Sequence, residues 1–389
     1  VKLVVRVKLL PTPEQAAALE ATLRACNEAA NWLSVRAFEH GRTSRSALQV
    51  LAYAALKARG LSAQPALHVL RKVADAYTAL KANLKAGNLG KRGSKRNARA
   101  AGKPVVFQSD AAQPFDDRCL SWQMDGSTVS IWTTSGRMKG LIFTGQAEQL
   151  ALLAACRKGE SDLLLKDGRW YLVATCEIPE AALNTAPEGF VGVDLGIVNI
   201  ATTSTGARYS GRHLNRQRDA DRRLREKLQK KGTKAAKRRA KRHAGKEARR
   251  VSDINHKISK CIVAEAQRTG RGIALEDLTG IRERVRLRKP QRVTLHSWSF
   301  RQLGTFIAYK ARRAGVPVVY VDAAYTSREC SRCHHVDRRN RPSQAVFACQ
   351  ACGFVEHADL NSSHNIAARG WWTWVRGAES QASVLTLTA

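Results

Sequence analysis

Two short apolar runs in the second half of the sequence end alike: Phe190-Val-Gly-Val-Asp194 and Gly272-Ile-Ala-Leu-Glu276. Each reads as a buried strand that delivers a carboxylate at its end. An ionised carboxyl group in that setting is costly unless a cation or a hydrogen-bonding partner meets it. The pair therefore constrains the fold, because neighbouring strands would bring the two acids together. Helix capping or an arginine partner explains either acid alone. A third acid, Asp359, follows in His357-Ala-Asp-Leu-Asn-Ser-Ser-His-Asn365-Ile, at the expected start of a helix. With all three in this order a shared cation site is the stronger reading.

Hard divalent cations favour oxygen ligands, so Asp194, Glu276 and Asp359 are the expected ligands of two Mg2+ ions about 4 Å apart, with Mn2+ a possible substitute in vitro. Such a pair can activate water for in-line attack on phosphorus and stabilise the leaving 3′ oxygen. The charge supports a phosphodiester substrate. The chain carries 66 Lys and Arg against 32 Asp and Glu, a formal net charge of +34, which is the sign that phosphate polymers attract. Its densest part is 208–250, with nineteen basic and four acidic residues, expected to be a helical arm held against a nucleic-acid backbone. No apolar run approaches the roughly 18 residues of a spanning helix and no signal peptide opens the sequence, so no membrane partner is expected. A prokaryotic, cytoplasmic and nucleoid-associated location is.

Cys330-Ser-Arg-Cys333 and Cys349-Gln-Ala-Cys352 are two CxxC pairs separated by 15 residues, the spacing of a zinc ribbon. Disulfides are the alternative, but a reducing compartment disfavours them. Four thiolates leave no open position for water, so one Zn2+ of structural purpose is expected. His334, His335 and His357 are read as bystanders. Cys26, Cys119, Cys156, Cys176 and Cys261 are solitary and read as small buried hydrophobes.

Before the first acidic strand the text divides. Residues 1–10 alternate as a half-buried strand, and Thr12-Pro-Glu-Gln15 reads as a capping box opening a helix. Further helices are expected over 47–57 and 65–84, then a flexible basic linker at 87–104. Short β runs follow at 128–133, 141–143, 162–165 and 170–178, with Asp167-Gly168 a hairpin turn. The expected plan is a small β-barrel from 1–10 and 105–182, interrupted by a helical domain and linker over 11–104, and then a linker at 184–188. An α/β domain over 188–325 and 354–389 would carry the acids, with the ribbon at 326–353 inserted. A helix with Ile254, Ile258, Cys261 and Ile262 on one face, a helix over 298–313 and a strand over 316–322 complete it.

The segments VGVDLGIVNIATTSTG, GIALEDLTGI and TSRECSRC…CQACGFVEHADLNSSHNIA resemble the three RuvC motifs and inserted zinc ribbon of TnpB, the nuclease of IS200/IS605-type transposons, and of the related miniature Cas12 effectors. The resemblance is specific over about 190–369. It implies an RNase H-like (RuvC) nuclease domain behind a wedge-like barrel with an inserted recognition domain. It matches Asp194, Glu276 and Asp359 to the family's catalytic acids and the four cysteines to its zinc ligands. It also implies a guide RNA, target double-stranded DNA and a displaced single strand as partners, and recognition of a short flanking DNA motif. A Cas12 effector with a CRISPR guide, or a non-cutting RNA-guided repressor, are the other readings. Two departures stand out: His334-His335 where the family has glycine after the first CxxC, and LNSSHNI in place of NAAxNI.

Overall fold

The computed structural model describes residues 1–278 and 300–387, with the side chains of the last helix described to residue 377. It divides into two compact units, Lys2–Ile178 and a second that begins at Pro179 and includes Val1.

In the first unit seven antiparallel strands form one sheet. They are β1 (Lys2–Leu9), β2 (Gln113–Phe115), β3 (Leu120–Gln123), β4 (Thr128–Thr133), β5 (Gly136–Thr144), β6 (Arg157–Lys166) and β7 (Arg169–Glu177), in the order β2-β6-β7-β1-β5-β4-β3. The end strands β2 and β3 are not paired with each other, so the expected barrel is a nearly closed sheet instead. A turn at 116–119 joins them, and one core is shared by residues from every strand, among them Val7, Phe115, Leu120, Ile131, Phe143, Leu163 and Leu172. The β6–β7 turn places Asp167 and Gly168 both at positive φ, 51° and 71°, as a two-residue hairpin requires.

Helix α1 (Pro13–Glu39) starts with the expected reciprocal capping box between Thr12 and Gln15. It packs with α2 (Arg45–Ala58) and α3 (Ala63–Lys85) around a core of Leu33, Leu48, Leu56 and Val69. Asn27, Asn31 and Ser34, one α1 face at i, i+4, i+7, hydrogen-bond the backbone of Val105, Phe107, Ser109 and Ala111, tying the returning chain to the helix. Two helices of this unit escaped the sequence reading. The basic linker contains a short helix, α4 (Lys95–Ala101), capped by Ser94, and α5 (Ala147–Cys156) precedes β6. Ser94 supplies the N-cap oxygen and the alanines carry helix propensity, and local propensity outweighed charge density there.

The second unit is built on β8 (Phe190–Asp194), β9 (Asn199–Thr203), β10 (Arg208–Ser210), β11 (Gly272–Glu276) and β12 (Val318–Val321), ordered β10-β9-β8-β11-β12. The first three strands run antiparallel, while β11 lies parallel to both β8 and β12. The basic stretch is a helical hairpin of α6 (Arg212–Lys231) and α7 (Lys234–Arg268), turned by Gly232 at φ 62°. Contrary to the expectation of a separate helix after the arm, α7 is continuous from the basic part to its apolar end. Cys261 lies exposed on it and Cys156 is half-buried, so these two are not the buried hydrophobes expected. The reading of Cys261 followed an apolar stripe whose core face is in fact set by Ile258, Ile262 and Ala266.

Helix α8 (Phe300–Arg313) and the end of α7 cover one sheet face; the expected helix start at Trp298 lies outside the described residues. Helix α9 (Ala358–Leu387) covers the other, its Ile366 packed with Phe190, Ala274 and Val321. The strand hairpin β13 (Val346–Ala348) and β14 (Val355–His357) runs directly into α9, past the expected ribbon boundary at 353. In the expected linker at 184–188, Asn184 and Glu188 bond the backbone at Gly315 and Gly270. Helix α9 approaches β8 so closely that a Cβ on Gly192 would collide with the Ser363 carbonyl and the Ala367 backbone. Gly192→Ala should therefore destabilise this unit by about 3 kcal/mol or more, read as a lowered midpoint in denaturant unfolding.

Candidate metal centres and nucleic-acid face

Alternation along the strands decides where the acids point. Val191, Val193, Ile273 and Leu275 face α7 and α8, so Gly192, Asp194, Ala274 and Glu276 face α9. Val193 is in register with Leu275, which sets Asp194 and Glu276 side by side at the carboxyl ends of adjacent parallel strands. Asp359 enters from the first turn of α9 and is 4% exposed.

Each acid has a different environment. Asp359 accepts from Asn199 Nδ2 at 2.9 Å and from Arg341 at 3.1 Å, and its backbone N–H donates to His357 Nδ1 at 3.2 Å. His357 stays outside the thiol cluster, as expected, and its ring accepts from the first turn of the helix. Glu276 accepts from Thr326 Oγ1 at 2.5 Å. Burial holds its carboxyl above the usual range, while that hydrogen bond and the charges of Arg369 and Arg341 oppose the rise. Asp194 is pushed well above the ordinary carboxylate range by burial and then by the charges of Glu276 and Asp359. An aspartate whose ionisation is opposed by burial and by two neighbouring acids marks a site that a cation would relieve. The three carboxylates do not close round a single point, and two ions a few ångströms apart do not need them to.

Asn199, Thr326, Arg341 and Arg369 were not picked out from sequence. Asn199 opens β9, Thr326 lies in a loop, Arg341 follows a basic run and Arg369 lies within α9, and neither periodicity nor spacing marks any of them.

The thiols do converge. The Sγ atoms of Cys330, Cys333, Cys349 and Cys352 lie within 4.8 Å of one another, and among the described residues no other set of three or more His, Cys, Asp or Glu ligands gathers so closely. Cys330 to Cys352 is 3.7 Å and Cys333 to Cys349 is 3.6 Å, too long for disulfides. Tetrahedral zinc with bonds of about 2.3 Å puts its sulfurs about 3.8 Å apart, so the donor set fits. Burial works against ionisation of Cys349, yet the backbone N–H groups of Cys352 and Ala351 and the adjoining thiols bring it down to about 6, while Cys330 and Cys333 are held above the ordinary thiol value.

Each knuckle ends on a left-handed residue, Gly353 at φ 71° and His334 at φ 61°. Glycine adopts that conformation freely and histidine does not, although His334 Nδ1 meets Glu329 Oε1 at 3.0 Å. His334→Gly should tighten zinc retention several-fold against a chelator, about 1 kcal/mol, since the surface contact given up contributes less.

The ribbon is fastened to α9 by side chains. Asn361 and Asn365 donate to the Glu329 carbonyl at 2.8 and 2.7 Å, and Asn361 Oδ1 accepts from Ser331 N. Arg369 donates to the carbonyls of Asp322 and Ala324 and to Glu329 Oε2 at 2.6 Å.

The basic hairpin is stapled across its two helices. Arg225 meets Glu247 at 2.7 Å, and buried Asp221 meets Arg250 at 3.3 Å and His243 at 3.6 Å. Helix α7 packs on the sheet from Val251 onward and turns sharply into β11, so it runs back antiparallel to that strand. Its basic part, 234–250, extends about 25 Å beyond the packed part, on the side where β11 ends in Glu276.

Residues 174–279 match the model of the OrfB IS605 family, described as a probable transposase, and residues 300–366 match the Cas12f1-like TNB domain. The CRISPR-associated endodeoxyribonuclease Cas12f1 of Sulfoacidibacillus thermotolerans is 43% identical over 114 residues, which are 29% of this chain and 26% of that protein. The TnpB-like protein MJ0751 of Methanocaldococcus jannaschii is 37% identical over 123 residues, 31% of this chain and 44% of that one. The chain thus spans less than half the length of either relative. The structure of a Cas12f1-sgRNA-target DNA complex superposes with a TM-score of 0.58 at 16% identity, covering 91% of this chain and 83% of that one, so the chain has a Cas12-type fold.

Proposed function

We propose that this chain, a relative of the TnpB-like and Cas12f1 proteins, is an RNA-guided DNA endonuclease that cuts with Asp194, Glu276 and Asp359. The observation that carries the reading is the meeting of Asp194 and Glu276 at the ends of adjacent parallel strands, with Asp359 supplied by the helix lying across them. The strand order, with the first strand central beside the fourth, is that of an RNase H-like sheet, and in these terms residues from 188 onward form a RuvC domain. The curled sheet and three-helix core of the first unit then act as wedge and recognition domain, reading a short motif beside the target.

When bound, a pair of Mg2+ ions supplies charge neutralisation and an activated water at the scissile phosphate. The chain's own residues hold the three acids in place. Thr326 orients Glu276, Asn199 and Arg341 orient Asp359, and Arg341 adds positive charge where a phosphate would arrive. The zinc held by the four cysteines is structural; it fixes the ribbon from which Arg341 reaches the site. Guide RNA and target DNA are held through their backbones, to which the α6–α7 hairpin offers most of its exposed arginines and lysines. Among the described residues no helix is long and apolar enough to cross a membrane. The place of action is the prokaryotic cytoplasm, at the nucleoid.

The test is direct. Purified with the RNA it carries, the protein should cut duplex DNA matching that RNA in Mg2+ and not in chelator, and sequencing the RNA will assign its source. Failure to cut any matching DNA would overturn the reading. Arg341→Ala should lower cleavage roughly 10- to 30-fold, the worth of one hydrogen bond to a charged group, with RNA binding unchanged, and Arg341→Lys should recover only part of the loss.

A further inference from the structure

Two buried hydroxyls in the second unit, Thr202 Oγ1 and Ser362 Oγ, have no hydrogen-bond partner among the described residues. Each residue is 1% exposed. A hydroxyl carries one donor and two acceptors, and one shut away from water is costly unless something meets it. Other polar side chains of β9, α9 and the loops about them are engaged. Thr326 donates to Glu276, Asn199 and Arg341 donate to Asp359, and Ser363 donates to the Leu360 carbonyl. Thr202 and Ser362 are the two hydroxyls there that are left over.

Register places the first of them. Thr202 on β9 is the partner of Asp194 on antiparallel β8, and such partners share a sheet face with Cβ atoms about 4.5–5.5 Å apart. Glu276 stands on the other side of Asp194, one strand spacing of about 4.8 Å away. Helical spacing places the second. Ser362 follows Asp359 by three residues on α9, which sets their Cβ atoms about 5–6 Å apart on one helix face. Ile366, four residues further on, packs on Phe190, Ala274 and Val321, so that helix face lies against the sheet face that carries the acids. Each leftover hydroxyl is thus the direct neighbour of a carboxylate. Among the described residues no side chain donates to Asp194. A phosphate alone would be repelled by the acids, whereas a hydrated cation suits both kinds of group. Hard ions such as Mg2+ keep several waters, whose hydrogens need acceptors.

We propose that Thr202 and Ser362 are positioning residues of the cation site, accepting hydrogen bonds from water carried in with the ions and donating to carboxylate oxygens that the ions leave free. The proposal rests on the reading of Asp194, Glu276 and Asp359 as cation ligands. It assigns the two hydroxyls opposite effects in two states: without a cation they weaken the fold, and with one they strengthen its binding.

The test uses the full chain with its zinc, freed of RNA, and reads Mn2+ binding by water-proton relaxation, so that no cutting is needed. The binding lost in Asp194→Ala defines the site at the acids. Thr202→Val, which keeps the shape of the side chain, should weaken that binding about tenfold; Ser362→Ala should do the same, and Thr202→Ser should keep the parent's affinity. Without added divalent cation, Thr202→Val should melt about 2–4 °C higher than the parent, because a leftover hydroxyl has gone. A residue that only packs would not combine a higher melting point with weaker Mn2+ binding. Unchanged Mn2+ affinity in Thr202→Val or in Ser362→Ala overturns the proposal, as does a loss of affinity in Thr202→Ser. So does a lower melting point of Thr202→Val without cation, which would show the hydroxyl already satisfied by a buried water. Equal Mn2+ binding by the parent and Asp194→Ala would instead remove the acids as cation ligands, and the proposal with them. A site that Asp194→Ala abolishes and Thr202→Val leaves intact would keep the acids and remove the hydroxyls alone.

Discussion

Asp194→Ala is expected to abolish cleavage of matched DNA, by on the order of a thousandfold or more, equivalent to at least about 4 kcal/mol of transition-state stabilisation. Asp194 ends β8 at the centre of the sheet, with both other acids acting on it, so no neighbouring oxygen can take its place. RNA binding should survive, because the basic hairpin is stapled by residues remote in sequence from Asp194. Stability should not fall either. A carboxyl group whose folded pKa is raised favours the fold only while protonated, and that contribution is lost as pH rises through the raised value, so at neutral pH its removal relieves repulsion. An alanine variant that melts no lower than the parent, binds RNA and does not cut is the expected combination. One that cuts as well as the parent removes Asp194 from the site. The parent's cleavage should also fall as pH is lowered, since Asp194 takes up its proton earlier than an ordinary aspartate.

Loss of the ribbon's metal should be the second large effect. Metal analysis is expected to find one zinc per chain, and Cys330→Ala to lose it. Structural zinc of this kind is worth roughly 10–16 kcal/mol to the segment that binds it, far more than the small core of Cys330, Phe347, Cys349 and Ala358 can replace. Residues 330–352 should become open to protease while the sheet and its own cores stay folded. Cleavage should drop about a hundredfold or more, because Arg341 and the stem carrying Thr326 and Glu329 lose the framework that aims them. No zinc after mild purification would refute the assignment of the four thiols.

What could be read in advance follows from what leaves a periodic or spaced trace. The alternation of β1, the capping box of α1, the Asp167-Gly168 turn and the two CxxC pairs are local, and each is found where expected. Strands β2 and β3 have only three and four residues, too short for a pattern, and pairing with β6 and β4 defines them. The stripe of Ile254, Ile258, Cys261 and Ile262 could not show that its helix is continuous with the helical arm expected before it, since an apolar face does not mark where a basic helix begins or ends. The acids were legible because burial and charge conflict at strand ends. The residues that orient them were not, because Asn199, Thr326 and Arg341 converge only through the fold.

The unbroken course of α7 has a metrical consequence. A helix that runs unbroken into the core has no loop at which the basic hairpin could swing, so a duplex lying along 234–250 would be offset from the core by a set length. That length, about 25 Å, corresponds to roughly seven base pairs. The chain would then carry a ruler as well as a blade. Lengthening α7 within 234–250 by whole turns should move the cut by about one and a half bases a turn, where a tethered arm would only blur it.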